Sequence, residues 1–114
     1  MCPVLSCTFG ADQDPLAIVT INGRRYSFLI DTGATYSCIR GGRLPISDLT
    51  ADTQGFSGAT ARVPFTKPVP IEVGGHHMEH SLLYSPCAPV NLLGRDLMSK
   101  LNMTISFNED GTMT

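Results

Sequence analysis

Asn22-Gly23 stands between two β-rich runs, Leu16 to Ile21 and Arg25 to Ile30. Two adjacent residues that both accept positive φ, flanked by strand formers, are the strongest short hairpin signal a sequence carries, so the domain is expected to open on a β-hairpin. In the second run Tyr26, Phe28 and Ile30 alternate with Ser27 and Leu29. The mostly apolar character of both faces predicts a strand buried deep in the fold. Gly41-Gly42 and Pro45 interrupt the pattern, and Thr53 to Phe65 then carries Gly55 and Gly58 around Phe56-Ser57, which reads as a mobile hairpin. Pro64, Pro68 and Pro70 confine their stretch to edge or loop positions, and Ile71 to Val73 and Glu79 to Tyr84 flank a Gly74-Gly75 turn. Helical spacing comes late: Leu93, Leu97 and Leu101 recur at i, i+4 and i+8, predicting one short helix across Gly94 to Asn102. Met103 to Phe107 and Thr112 to Thr114 flank a polar Asn108-Glu109-Asp110-Gly111 turn, consistent with a C-terminal hairpin. The fold class expected is all-β with one helix.

The chain has 114 residues, enough for one domain with a core. Residues 1–14 mix Cys, Pro, Gly and Asp without periodicity and are expected to form a flexible lead-in or processing segment, with the domain proper at 15–114. A net charge of -2 and the lack of a Lys/Arg cluster argue against nucleic acid and against a membrane surface as partners. No apolar run approaches the ~18–20 residues of a membrane span, and Met1 to Leu5 lacks a charged region followed by a hydrophobic one, so a soluble, untargeted chain is expected. Cys2, Cys7, Cys38 and Cys87 are expected as free thiols, since a chain of this length holds a core without disulfide staples. No C-x-x-C pair supports zinc. His76, His77 and His80 with Glu79 invite a metal reading, but on a strand residues four apart lie roughly 13 Å from each other. A solvated hairpin and no metal are therefore expected. Cys38 reads as a small buried thiol and not a nucleophile, because no His is placed to activate it.

The chemistry concentrates at Asp31-Thr32-Gly33-Ala34, directly after the apolar Phe28-Leu29-Ile30. A carboxylate carried out of a hydrophobic strand onto a tight loop has a clear use if a second one faces it. Two like charges a few ångströms apart cannot both ionise and share a proton, which makes the pair acid and base together. One carboxylate takes a proton from a water between them while the other hydrogen-bonds the scissile carbonyl. Thr32 can fix the loop through its hydroxyl, and Gly33 admits backbone N–H groups close to the carboxylates. The chain carries no second copy: Asp110-Gly111-Thr112 has the same letters in another order, and Asp96 sits in Gly-Arg-Asp at the helix start. The partner carboxylate must come from another subunit across a twofold axis. Alone, an Asp-Thr-Gly tripeptide is better read as a β-turn whose aspartate caps the backbone.

The strand, Asp31-Thr32-Gly33-Ala34, the glycine-bearing hairpin at Gly55 to Ala59, and Ala88-Pro89-Val90-Asn91-Leu92-Leu93-Gly94-Arg95-Asp96-Leu97 follow one another in the order found in retropepsins. Over roughly Pro15 to Phe107 the chain resembles a retroviral aspartic protease. Leu92 to Leu101 is most similar to the gammaretroviral branch. The resemblance implies a retropepsin-like acid protease fold, a closed β-barrel-like subunit with a flap hairpin and one short C-terminal helix. It implies an aspartic endopeptidase cutting between apolar residues of a retroviral polyprotein, without a cofactor, as a homodimer released from a longer polyprotein into the viral particle or host cytoplasm. Asp31 would be catalytic, Thr32 would make a cross-dimer hydrogen bond, and Gly33, with Ala34 and Thr35 after it, would meet the substrate backbone. Phe56, Ser57, Gly58 and Ala59 would form the flap tip, and Leu29, Val90 and Leu92 would line side-chain pockets. The C-terminal strands would build the dimer sheet. Thr35-Tyr36 stand where some lentiviral relatives carry acidic residues that pair with the helix arginine, so Arg95 needs another partner. A cellular retropepsin-like peptidase and a non-catalytic dimerisation or peptide-binding module are the rival readings; the intact Asp-Thr-Gly argues against the second.

Overall fold

The structure, a computed structural model, describes residues 5–54, 58 and 60–108. Eleven strands and one helix follow in the order β1 (Leu5–Gly10), β2 (Leu16–Ile21), β3 (Arg24–Ile30), β4 (Cys38–Ile39), β5 (Ile46–Gln54), β6 (Thr60–Thr66), β7 (Val69–Val73), β8 (His76–His80), β9 (Leu83–Tyr84), β10 (Leu92–Leu93), α1 (Arg95–Leu101) and β11 (Met103–Asn108). Nine strands form one curled sheet in the order β5-β6-β9-β4-β10-β3-β2-β7-β8, and β1 pairs with β11 in a separate two-stranded ribbon. The expected class, mostly β with one short helix and a retropepsin-like arrangement, is the class observed.

The opening hairpin forms as its turn chemistry dictates. Asn22 at φ 50 and Gly23 at φ 80 both take the left-handed conformation of a type I′ turn, whose twist matches the flanking strands. β3 lies inside the sheet between β2 and β10. Its Phe28 and Ile30 are buried, while Leu29 on the other face is only half-buried. β7 alternates strictly, with Val69, Ile71 and Val73 turned inward. Together with Val19, Ile21, Phe28, Ile39, Leu82, Leu93, Leu97 and Leu101 they make the main core. A smaller cluster of Cys38, Val63 and Leu83 sits under the β5–β6 hairpin.

Helix α1 presents Leu97 and Leu101, both fully buried, to this core one turn apart. It ends at Asn102, whose left-handed conformation (φ 51) turns its N–H back onto the Met98 and Ser99 carbonyls. No helix among the described residues is long and apolar enough to cross a membrane.

Three expectations are corrected. Leu5–Gly10 is a strand and not an unstructured lead-in: it runs parallel to β11 from Leu5↔Met103 to Gly10↔Asn108, and Leu5 packs on the main core. The run Glu79 to Tyr84 is not one strand, because Leu82 drops into the core and separates β8 from β9, which pairs instead with β4 and β6. The C-terminal run Met103 to Phe107 is a strand, as expected, and pairs with β1; its expected hairpin partner, Thr112 to Thr114, lies outside the described residues. Pro64 and Pro70 lie inside β6 and β7, which are interior strands. Both are tolerated because one ladder of each strand is very short: β6 meets β9 at Phe65↔Leu83, and β7 meets β2 at two residue pairs.

Candidate active site

Asp31 is the first residue beyond β3. β10 runs parallel to β3 in the register Leu92↔Leu29 and Leu93↔Ile30, and the Asp31 N–H extends that pairing by donating to the Leu93 carbonyl at 3.0 Å. The strand pair thereby fixes where the carboxylate leaves the sheet. The chain then turns at once: the Ala34 N–H donates to the Asp31 carbonyl at 3.1 Å, and the Gly33 N–H to Asp31 Oδ1 at 2.9 Å. A Cβ on Gly33 would lie 3.3 Å from that oxygen, so glycine gives the close approach room. Asp31 and Ala34 are half-buried; Thr32, Gly33 and Thr35 are exposed.

The loop is held from below by the start of α1. The first two helical N–H groups, which have no partner within the helix, donate to loop carbonyls: Arg95 to Ala34 at 2.9 Å and Asp96 to Thr35 at 3.2 Å. The Arg95 guanidinium donates to the Thr35 hydroxyl at 3.1 Å, which supplies the partner its missing acidic residue leaves open. Gly94 packs so closely that a Cβ there would meet the Tyr36 carbonyl carbon at 2.8 Å and the Ala34 and Tyr36 oxygens at 2.9 Å. Its N–H donates to the Ser37 hydroxyl at 2.9 Å.

Asp96 anchors the far end of the loop. Its Oδ1 accepts the Ser37 N–H at 2.9 Å, the Ser37 hydroxyl at 2.7 Å and the Leu97 N–H at 2.7 Å, while Oδ2 faces His80 Nε2 at 2.8 Å. Burial acts to raise the Asp96 carboxyl, but the hydrogen bonds from His80 and from the Ser37 hydroxyl and N–H together hold it below its ordinary value. His80 is buried, not part of a solvated hairpin, and this corrects the sequence-based expectation. The strand HHMEH gives no local sign of burial, since the group that covers His80 comes from α1. Among the described residues no group of three or more His, Cys, Asp or Glu side chains is placed to hold a metal.

The predicted pocket residues divide. Leu29 and Val90 line one open cavity of about 320 Å³ with Leu16, Arg40 and Asn91. Leu92, in register with Leu29, is half-buried and packs against the Cys38, Val63 and Leu83 cluster. Asn91, which sequence reasoning passed over, braces this wall: its side chain accepts the Arg40 N–H at 2.8 Å and donates to the Ser27 carbonyl at 3.1 Å. The β5–β6 hairpin pairs from Ile46↔Thr66 to Gln54↔Thr60, with Gly58 at φ +80 in its connection. Phe56, Ser57 and Ala59 lie outside the described residues. Tyr36 of the loop meets Phe65 of β6 edge-on, ring centroids 5.2 Å apart, so loop and hairpin base are in contact. Cys7, Cys38 and Cys87 are free thiols, as expected, and Cys38 is buried.

Residues 11–106 match the family model described as retroviral aspartyl protease. The chain belongs to that family. With it the chain falls among the aspartic endopeptidases. It is 38% identical over 104 residues to the Gag-Pol polyprotein of feline leukemia virus and 35% identical over 102 residues to that of baboon endogenous virus (strain M7). A third relative, the Gag-Pol polyprotein of gibbon ape leukemia virus, is 32% identical over 98 residues. These matches cover 86% to 90% of this chain and 6% of each polyprotein. They agree with the gammaretroviral resemblance of Leu92 to Leu101.

Proposed function

We propose that this chain is the peptide-hydrolysing unit of a Gag-Pol-like polyprotein, active as a homodimer in which each subunit contributes Asp31. The observation that carries this reading is the Asp31 loop, whose carboxylate is oriented by the Gly33 N–H and whose backbone is bonded to β10 and to the start of α1. A group used for general acid–base work has to be held this way, because hydrolysis depends on its placement to within a fraction of an ångström. One chain supplies one such carboxylate, and the second comes from a twofold-related copy. A water between the two is deprotonated by one carboxylate while the other, protonated, donates to the scissile carbonyl. The exposed Thr32 is assigned to the contact between the two loops.

Substrate is proposed to bind extended between the loop from Gly33 to Thr35 and the β5–β6 hairpin, whose tip, Phe56 to Ala59, would close over it. Leu29 and Val90, in their shared cavity, would take apolar side chains, with Leu92 supporting that wall. The ribbon of β1 and β11 is assigned to the dimer contact. Phe107 there is 59% exposed in the single chain although its ring lies 6.1 Å from that of Phe9, an apolar surface suited to a partner. Release from a longer polyprotein would place the dimer in the viral particle or the host cytoplasm. The test is hydrolysis of octapeptides with apolar residues at the cut site. Asp31→Asn should abolish turnover and leave the fold intact; a variant that still cleaves would remove Asp31 from the mechanism.

A further inference from the structure

Beyond the loop itself, four side chains form a continuous chain from β8 to the end of the Asp31 loop. Lys100 Nζ lies 2.8 Å from His80 Nδ1 and also donates to the Glu79 carbonyl at 3.3 Å. His80 Nε2 lies 2.8 Å from Asp96 Oδ2, and Asp96 Oδ1 holds both the N–H and the hydroxyl of Ser37. Lysine ammonium has hydrogens to give and no lone pair, so Nδ1 of His80 must accept. A neutral ring that accepts at Nδ1 carries its proton at Nε2, where it donates to Asp96. Among the described residues, the charged groups that touch this ring are the Asp96 carboxylate and the Lys100 ammonium, both from α1. Its ladder partner on β7 is the apolar Val69. Polarity is therefore set at every link from Lys100 through His80 and Asp96 to Ser37, and the Ser37 hydroxyl, having given its hydrogen to Asp96, accepts the Gly94 N–H.

We propose that His80, held by Lys100 as its Nε2–H tautomer, is a positioning residue for the Asp31 loop, fixing Asp96 so that its second oxygen clamps Ser37. Its effect on turnover rests on the assignment of Asp31 above. The set polarity makes a demand that mere packing would not. In Asp96→Asn, the Ser37 and Leu97 backbone N–H groups keep the amide oxygen on their side, which turns the amide NH₂ toward His80 Nε2–H, donor against donor. The ring cannot relieve this by moving its proton to Nδ1 while Lys100 donates there. Removing that donor as well, in Asp96→Asn with Lys100→Met, lets the proton move and restores the link. Glutamine at 80 can reach both partners, its NH₂ donating to Asp96 and its oxygen accepting from Lys100; leucine can reach neither.

The test combines three readings on the full chain: imidazole ¹⁵N shifts of His80 at neutral pH, exchange of the Ser37 amide, and kcat and KM on a cleaved octapeptide where activity is linear in enzyme. The expected result is an Nε2–H tautomer, a kcat lowered about tenfold to a hundredfold in His80→Leu with KM within about twofold, and kcat near wild type in His80→Gln. Asp96→Asn should fall comparably and the double variant should recover most of the loss. A ring protonated at Nδ1, a His80→Leu kcat within twofold of wild type, or a double variant as poor as Asp96→Asn would each overturn the proposal. A wild type that cleaves nothing would overturn the protease reading instead. The tautomer and Ser37 exchange then decide this one, and exchange no faster in His80→Leu than in wild type overturns it.

Discussion

Gly94→Ala probes the joint between loop and helix. Gly94 has φ -96, a conformation open to any residue, so the effect of a methyl group there is one of space and not of backbone strain. The added Cβ would sit 2.8 Å from the Tyr36 carbonyl carbon and 2.9 Å from the Ala34 and Tyr36 oxygens. Bringing these to an ordinary 3.4 Å requires the loop to withdraw by about 0.5–0.6 Å, taking 2.8–2.9 Å as the starting contact. The atoms are backbone, already bonded to the helix through the Arg95 N–H at 2.9 Å, so they cannot rotate aside as a side chain would. Overpacking of this kind costs about 1–3 kcal/mol. With a urea m-value of about 1–3 kcal/mol/M, the unfolding midpoint should fall by roughly 1 M. Since a misplacement of about 1 Å can cost a hundredfold in rate, half that displacement should lower kcat/KM by about tenfold. Gly41→Ala is the control: nothing lies within 4 Å of its Cβ position, and its stability should stay within about 0.5 kcal/mol of wild type. Urea melts and peptide hydrolysis measure both. A Gly94→Ala protein indistinguishable from wild type would refute the claim that this contact holds the loop.

Asp96 makes stability depend on acid. Its folded carboxyl is held below the ordinary value, so between the two values the unfolded chain binds the extra proton and stability rises with pH. The contribution is fully present above the unfolded value of about 3.9 and is lost as pH falls through the lower folded value. Urea melts from pH 7 to pH 2 should show this slope, and Asp96→Asn should flatten it. Leu97→Ala, which empties a fully buried site, should cost about 2–5 kcal/mol in the same melts. Burial pushes the Cys38 thiol up, only partly offset by its hydrogen bond with Ser85, whereas Cys87 is exposed. In the native protein a thiol reagent should therefore modify Cys87 quickly and Cys38 only on unfolding, as peptide mapping would show.

What could be read from the sequence was what neighbouring residues decide among themselves. Asn22-Gly23 needs only its own dihedrals and two flanking strands to make a hairpin, and it makes one. Leu97 and Leu101 lie one turn apart, so the helix announces its buried face within seven residues. Asp31 was visible because it follows an apolar strand. By contrast, β1 pairs in parallel with a strand 98 positions away, Leu5 with Met103, and no turn or alternation inside LSCTFG signals it. His80 stands among polar neighbours, and its burial is created by Asp96 and Lys100 arriving from α1. The role of Asp96 was hidden for the same reason: both the Ser37 it holds and the His80 that holds it are distant in the chain. Thr35 as the partner of Arg95 likewise emerges only when loop and helix meet.

The central claim is that Asp31 is half of a site completed by a second chain. Mixing wild type with Asp31→Asn, under conditions that allow subunits to exchange, tests it most directly. If the site is shared, hybrid dimers carry one carboxylate and are inactive, so an equal mixture holds about one quarter wild-type dimers and the activity per wild-type chain falls to about half. A large excess of Asp31→Asn should then extinguish hydrolysis. Activity that stays proportional to the wild-type chain alone, whatever the excess, would contradict the account.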